Sequence, residues 1–423
     1  MRVVIITQNY LPEMGALSNR MYPIARELSN AGHKVTVATG MPNYPEGKAF
    51  DGYKGRVAMR ERLERAEVIR TAFYTVPRNI SKARQMLSYL SFIPASLVST
   101  LRAGPCDVVV VTTPPIFPIL TAILVSKLRR AKLVLDVRDL WSDELINFAG
   151  LKETSFVVRA FRAIERWGYT SADLVCCTTQ SLADTVIARG GNRASTVVYP
   201  NGADLDLFKP SLEKANTISA LTPLGDRFVV LYSGLLGMKH GLDTLIDAAG
   251  LLQHDPDILV ALAGNGAARR DLEKRVGERG LTNVVFLGEL PLEQIPMAIG
   301  RADICFAGER GDAYQEKLIS VKIFEYMACE RPVVGSVVGE SARVIAGSKG
   351  GLVVCPGDAE AIADSVLRLK SDPERRRAMG KAGRKYVETN YSRSDWARRF
   401  EGWLTHLVEK RDGSAALEAA EIH

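Results

Sequence analysis

No apolar stretch in this 423-residue chain reaches the length of a membrane span. Segment 86–101, MLSYLSFIPASLVSTL, is uncharged but shorter than the roughly 18–20 residues a spanning helix needs, and Pro94 interrupts it. Two readings stay open for it: a buried helix, or a helix lying on a membrane surface with Arg78, Lys82, Arg84 and Arg102 on anionic lipid. The six cysteines (Cys106, Cys176, Cys177, Cys305, Cys329, Cys355) lack the spacing of a metal site or a disulfide framework, and read as reduced, buried thiols of a cytosolic protein. No metal is expected. The opening MRVVIITQ leads straight into a strand, without a long apolar core before a small-residue cleavage site, which speaks against secretion. Low-complexity sequence is confined to the Ala/Glu-rich end, residues 413–423, expected to fray.

What is present is an ordinary soluble composition, 47% hydrophobic and 24% charged, on a chain long enough for two cores. A net charge of +7 points to an anionic partner: a nucleotide, a membrane surface or a nucleic acid. Short apolar runs alternate with longer helical patterns, as a parallel sheet with crossover helices requires. Strands are expected at 3–7, 34–39, 68–72, 108–112, 133–137, 174–178 and 196–199, then at 228–233, 258–263, 284–287, 304–307, 332–335 and 352–355. The class is α/β, with two doubly wound, Rossmann-like domains at 1–204 and 227–393. Apolar periodicity fades between 201 and 227, which reads as a linker. Ligands of such sheets bind beyond the carboxyl ends of the strands, so chemistry is expected where two such domains face a cleft.

Glycine turns follow several strands. Gly15 precedes a helix, Gly234 and Gly237 precede Lys239 and His240, and Gly264 and Gly266 form a third turn. Each is an ordinary strand-to-helix turn or a place where backbone N–H groups approach a phosphate; the cation beside Gly234 and Gly237 favours the second reading there. Glu325 sits in KIFEYMACERPVV, where helical spacing puts Ile323, Phe324, Met327 and Ala328 on an apolar face, with Arg331-Pro332 stopping the helix. A glutamate in such a run is costly unless it is paired or serves a ligand.

GHKVTV (32–37), YPNGADLDLF (199–208), LAGNG, NVVFLG (283–288), RADICF (301–306) and FEYMACERPVV, in that order, resemble glycosyltransferase family 4, over residues 1–407. The resemblance implies the GT-B fold, transfer of a sugar from a nucleotide donor with retention of configuration, and a last helix, near 394–411, crossing back to the first domain. Residues 39–53 and 69–79 resemble the branch of fucosyl and N-acetylfucosaminyl transferases that builds colanic acid, capsule and O-antigen.

By that resemblance Glu325 binds the ribose hydroxyls; the alternative is a carboxylate capping or pairing within the helices. The resemblance also puts Leu287, with Gly234, Gly264 and Gly266, on the nucleotide-sugar side, where Gly15 meets the diphosphate as the cleft closes. The family's second glutamate, eight positions before Glu325, is Lys317 here, beside Glu316, and both are carried as catalytic candidates. The family's arginine is Leu235 and its lysine falls at about His240, so the diphosphate is assigned to Lys239, Lys322 and the helix expected from about Leu318; each lysine is otherwise a solvated charge. Glu330 replaces a glycine, so the helix is expected to lack its left-handed cap. In VLDVRDLWSDEL the family's His-Asp pair falls on Arg138 and Asp139. Asp139 is a catalytic candidate or a helix N-cap, Trp141 a sugar-stacking surface, and Arg138, Asn43 and Tyr44 complete the acceptor side.

The expected activity is hexosyl transfer from a UDP-sugar, or secondly a GDP-sugar, to a lipid-linked saccharide at the cytoplasmic face of the membrane. It uses no cofactor beyond the nucleotide sugar and involves no nucleic acid. A GT-B sugar-nucleotide epimerase and a non-catalytic scaffold subunit are the alternatives.

Overall fold

A computed structural model describes residues 1–13, 15–77, 80–147, 149–210 and 218–409; Arg78, part of the 201–227 stretch and the Ala/Glu-rich end lie outside them. The chain divides into two compact units, one formed by Met1–Pro200 with the chain from Ser394, the other by Asn201–Arg393.

The first unit carries β1 (Arg2–Ile6), β2 (Lys34–Gly40), β3 (Ala58–Leu63), β4 (Ala66–Thr71), β5 (Val108–Thr113), β6 (Lys132–Val137), β7 (Leu174–Cys177) and β8 (Thr196–Val198). They form one sheet in the order β3-β4-β2-β1-β5-β6-β7-β8. All pairs are parallel except β3 with β4. β5 reads VVVVTT and is buried along its whole length, as a strand covered on both faces must be. β3, AMRERL, is the strand the periodicity misses. It is a polar edge whose Arg60 and Arg62 oppose Ile69 and Glu67 of β4. The helix Arg393–Glu409 seals this unit, with Trp396, Phe400 and Leu404 in one cluster with Val3, Ile24 and Tyr199.

The second unit carries β9 (Phe228–Ser233), β10 (Ile258–Ala263), β11 (Val284–Gly288), β12 (Ile304–Gly308), β13 (Val333–Ser336) and β14 (Gly351–Val354). The order is β11-β10-β9-β12-β13-β14, all parallel. The stretch expected to link the units begins this core instead: Phe208, Leu221 and Leu224 are buried in it, and Leu205 and Leu207 pack against it. These apolar residues are too widely spaced among polar ones to register as a periodic element.

Strand order turns back at β1/β5 in one unit and at β9/β12 in the other, the places where doubly wound sheets open a crevice. Five cysteines are buried free thiols; Cys355, expected to be buried, is exposed just past β14.

The helix over segment 86–101 runs Lys82–Arg102 and continues through Pro94, against the expected interruption. Pro94 stands on the exposed side, where water can serve the carbonyl whose partner the ring removes. One face of the helix is buried through Ser88, Phe92, Ala95, Ser96, Ser99 and Thr100. The opposite face exposes Leu87, Leu90, Val98 and Leu101, and the neighbouring helix Pro118–Arg129 exposes Leu124 and Leu128. Ser96 Oγ and Thr121 Oγ1, 2.9 Å apart, join the two helices. Among the described residues no helix is long and apolar enough to cross a membrane.

Candidate functional site

In the second unit three glycine turns lock together beyond β9, β10 and β11. Gly234 has φ 139° and Gly264 φ 139°, and a Cβ on Gly264 would lie 1.9 Å from the Gly234 carbonyl oxygen. Gly264 N–H donates to the Gly288 carbonyl at 2.6 Å, and Gly234 N–H to that of Ala263 at 2.9 Å. No other residue fits at Gly264. Gly266 is equally confined, a Cβ there falling 2.4 Å from the Leu236 carbonyl oxygen. Leu287, at the end of β11, is a half-buried residue packed on the core.

The helix bearing Glu325 spans Val321–Ala328, beginning later than expected because Gln315–Lys317 forms a separate 3-10 turn. Its apolar face is buried through Ile323, Phe324, Met327 and Ala328. Tyr326 fixes it to the end of β9: its hydroxyl accepts from Ser233 N–H at 2.8 Å and donates to the Ser233 carbonyl at 3.2 Å. Ser320 does not cap the first turn, because its hydroxyl accepts from Lys322 Nζ at 3.0 Å. The helix does end in a left-handed cap, contrary to expectation. Glu330 itself takes φ 55°, Arg331 N–H donates to the Tyr326 carbonyl at 3.0 Å and Glu330 N–H to that of Met327 at 3.0 Å.

Lys322 lies along Gly234, whose missing Cβ would come within 3.3 Å of its Cε, and its ammonium stands 5.1 Å from the Tyr232 ring centre. Burial pushes its pKa down to about 8, against the pull of Glu309 and Glu325. Glu325 is half-buried, and among the described residues its carboxylate makes no hydrogen bond. Burial raises its pKa, while the positive charges of Arg393 and Lys322 oppose that. A carboxylate with no hydrogen-bond donor among the described residues, on the same helix as an uncapped first turn and a lysine, can accept from hydroxyls beside groups that can receive negative charge.

His240 is not a cation in this turn. Burial, with Lys322 and Lys239 nearby, pushes its pKa down to about 2. Lys239 stands exposed beside it. Glu316 is exposed on the 3-10 turn, with its backbone against Gly339, and Lys317 is half-buried next to it.

Sequence reasoning missed Glu309, just past β12. It is buried, accepts from Ser341 Oγ at 2.7 Å, and is held up to about 7 by burial. Ser341 Oγ also accepts from Ser320 N–H at 3.3 Å, so Glu309 braces the entrance to the Lys322 helix. Only its place at a strand's carboxyl end hints at this.

In the first unit a cavity of about 360 Å³ opens beyond the carboxyl ends of the strands, lined by Gly15, Asn43, Tyr44, Arg138 and Trp141 among others. Four of these are expected acceptor-side residues, and Gly15 joins them. Gly15 has extended backbone at φ 171°, and an added Cβ would meet the Tyr44 ring at an ordinary 3.7 Å, so nothing local demands glycine there.

A second missed residue, Glu13, shapes this cavity. Buried at its wall, its Oε1 accepts from the N–H groups of Asn43 and Tyr44, both at 2.8 Å, and from Asn9 Nδ2 at 2.9 Å; Tyr10 N–H reaches Oε2 at 3.3 Å. The 43–45 loop is thereby pinned. Arg138 donates from Nε to the Thr113 carbonyl at 3.3 Å, and burial lowers its pKa against the pull of Asp139 and Asp136. Asp139 is half-buried beside it and does not occupy the N-cap position, since the following helix starts at Trp141. Glu165 serves that end instead, accepting from Ser142 N–H at 3.0 Å. Trp141 packs edge-on to Tyr89 at 4.8 Å between ring centres and tilted on Phe161 at 5.4 Å, a wall already braced by aromatic neighbours.

Among the described residues no group of His, Cys, Asp and Glu is arranged to hold a metal ion.

Residues 15–202 match the family model described as Glycosyl transferase 4-like domain, and residues 214–386 that described as Glycosyl transferases group 1. The chain is 27% identical over 310 residues to the putative colanic acid biosynthesis glycosyl transferase WcaI of Escherichia coli (strain K12), covering 72% of this chain and 75% of that one. It is 31% identical over 234 residues to a GDP-mannose-dependent alpha-(1-6)-phosphatidylinositol monomannoside mannosyltransferase of Mycolicibacterium smegmatis, covering 54% of this chain and 61% of that one. Its fold is similar to that of Anabaena Alr3699/HepE in complex with UDP-glucose, with TM-score 0.70, 17% identity, and 96% and 100% of the two chains covered.

Proposed function

With the chain a hexosyltransferase of GT-B fold and glycosyltransferase family 4 type, we propose that it moves a sugar, with retention of configuration, from a nucleotide sugar to a lipid-linked saccharide in surface polysaccharide synthesis. One observation carries the nucleotide-sugar half: Glu325 and Lys322 share a short helix beside the Gly234 turn, one without a protein hydrogen-bond donor, the other held with its proton loosened by burial. Glu325 accepts from the two ribose hydroxyls. Lys322 and the first-turn N–H groups receive the diphosphate, whose growing charge as the glycosidic bond breaks is stabilised by groups already in place. Retention follows from departure and attack on one face of the sugar, with the leaving phosphate assisting.

UDP carrying an amino or deoxy sugar is the first choice, in keeping with the UDP-glucose of the HepE complex, and GDP the second, in keeping with the GDP-mannose named for the mannosyltransferase. The polysaccharide role draws on the colanic acid relative and on the branch resemblance. Attachment at the cytoplasmic face of the membrane draws on the exposed stripe Leu87, Leu90, Val98 and Leu101 with Leu124 and Leu128, bordered by Lys82, Arg84, Arg102, Lys127 and Arg130.

A thermal-shift screen against UDP, GDP and their sugars, followed by turnover with lipid-linked saccharides, tests the assignment. Stabilisation by one nucleotide and acceptor-dependent product are expected. An epimer formed from the nucleotide sugar alone would replace transfer with epimerisation, and no response to any nucleotide would refute both. Co-sedimentation with anionic vesicles that weakens as salt rises checks the membrane surface; indifference to lipid charge would refute it.

A further inference from the structure

A chain of hydrogen bonds runs from a buried carboxylate to the ammonium of Lys322. Glu309, just past β12, is 7% exposed. Its Oε1 accepts from Ser341 Oγ at 2.7 Å, Ser341 Oγ accepts from Ser320 N–H at 3.3 Å, and Ser320 Oγ accepts from Lys322 Nζ at 3.0 Å. Val338 N–H reaches Glu309 Oε2 at 3.4 Å. The backbone is confined as well. Glu309 N–H donates to the Ser336 carbonyl at 2.9 Å, and a Cβ on Gly241 would stand 3.0 Å from the Glu309 carbonyl oxygen. The carboxylate is thus held between β13, the helix Gly339–Ser348 and the turn that follows Met238–His240.

Bracing alone does not call for a carboxylate, since a glutamine oxygen accepts from a hydroxyl as well, and a buried charge is costly unless an opposite charge stands near. The opposite charge here is Lys322, which favours the ionised form of Glu309. Glu309 in turn exerts the strongest pull of any charge that holds the proton on Lys322, ahead of Glu325. The other groups around the pair are Asp312 beside Glu309, Lys239 and the neutral His240 beside Lys322, and Arg393 beside Glu325. Glu340, on the helix Gly339–Ser348, is paired with Arg343 at 3.0 Å, and Arg310 with Asp243 at 3.3 Å. Burial holds Glu309 up to about 7 and Lys322 down to about 8, so between these values both are charged.

We propose that Glu309 is a positioning residue for diphosphate binding, acting through Lys322: it keeps the ammonium charged and, by way of Ser341 and Ser320, in place. The inference rests on the assignment of Lys322 to the diphosphate. A buried ammonium without that carboxylate gives up its proton nearer neutrality and then offers the diphosphate only a neutral amine. Glu309 is also a negative charge near an anionic ligand, so its benefit is confined to the pH range in which Lys322 would otherwise be neutral.

The test is the pH profile of UDP and GDP binding to the full-length protein, from mild acid to mild alkali. Wild-type affinity is expected to fall as pH rises past about 8. In Glu309→Gln, which keeps an acceptor for Ser341 Oγ, the fall is expected about one pH unit earlier. In acid, where the lysine is charged in both proteins, the variant is expected to bind no more weakly than the wild type. Glu309→Asp keeps the charge and is expected to restore the alkaline limb. A flat wild-type profile, a fall at unchanged pH in Glu309→Gln, or a loss by the same factor at every pH would overturn the proposal, the last because a carboxylate that only braces the fold gives that result. Carbon-13 NMR titration of Lys322 Cε in the wild type, identified as the resonance that Lys322→Met removes, needs no change at Glu309. Two inflections, near 7 and near 8, are expected, and a single one would overturn the proposal. Failure of the transferase reading shows separately, as absence of nucleotide binding by the wild type, while the NMR titration still decides whether Glu309 governs the Lys322 proton.

Discussion

Lys322→Met removes a charge that the fold holds at a cost. The lysine pKa falls from 10.5 to about 8 through burial. At about 1.4 kcal/mol for each tenfold change in proton affinity, this corresponds to roughly 3 kcal/mol. Below about pH 8 the lysine is charged in both the folded and the unfolded chain, and the folded state carries the whole penalty. As pH rises from about 8 to 10.5 the folded lysine gives up its proton first, and the penalty fades. Methionine keeps an unbranched stem beside Tyr232 and Gly234 without the charge. Because the residue is only half-buried, about half the figure is expected, a gain of roughly 1–2 kcal/mol at pH 7, or about 2–4 °C in melting temperature for each kcal/mol. On the proposed reading the same change also deletes a charge-assisted contact to the diphosphate, about 1.5–3 kcal/mol, so UDP binding should weaken about 10- to 150-fold while uridine binding holds. Scanning calorimetry without nucleotide and titration calorimetry with UDP and uridine read the two effects. Wild-type affinity for UDP should fall as pH rises past about 8, and the variant's should not. A variant that melts below the wild type, or loses uridine and UDP equally, would refute the reasoning.

Glu325→Ala should lower affinity for the bound nucleotide by about 1–3 kcal/mol with the fold intact, checked by titration and circular dichroism; unchanged binding of both UDP and GDP would remove the ribose role. Glu330→Gly should raise stability by roughly 0.5–1 kcal/mol in a urea melt, since glycine accepts the left-handed conformation that glutamate takes under strain. Glu13→Ala strands the N–H groups of Asn43 and Tyr44 and should cost about 2–4 kcal/mol, read as a lower melting temperature; a neutral result would mean that the loop finds other partners.

Strands buried on both faces were legible because nothing but a parallel sheet explains runs such as VVVVTT and FVVLYS. β3 was not, since an edge strand with Arg60, Glu61 and Arg62 hides its pairing partner far from its own sequence. Glu325 stood out by being polar in an apolar helix. Glu13 and Glu309 did not, because each lies outside helix and strand, where glutamate is unremarkable, and only the fold brings to them the N–H groups and the hydroxyl that they hold. The left-handed Glu330 shows the converse limit, a sequence departure that the backbone absorbs without changing the cap.

The contact between Gly234 and Gly264, with Gly288 hydrogen-bonded behind them, makes the turns after β9, β10 and β11 one mechanical part rather than three loops. Substitutions at Gly264 or Gly266 would mostly return misfolded protein, because a side chain there meets backbone that cannot yield. Recombination between related enzymes would have to exchange residues 234–241, 264–266 and 288 as a block. A library built by that rule should keep its members soluble, and one that shuffles the three segments independently should lose most of them.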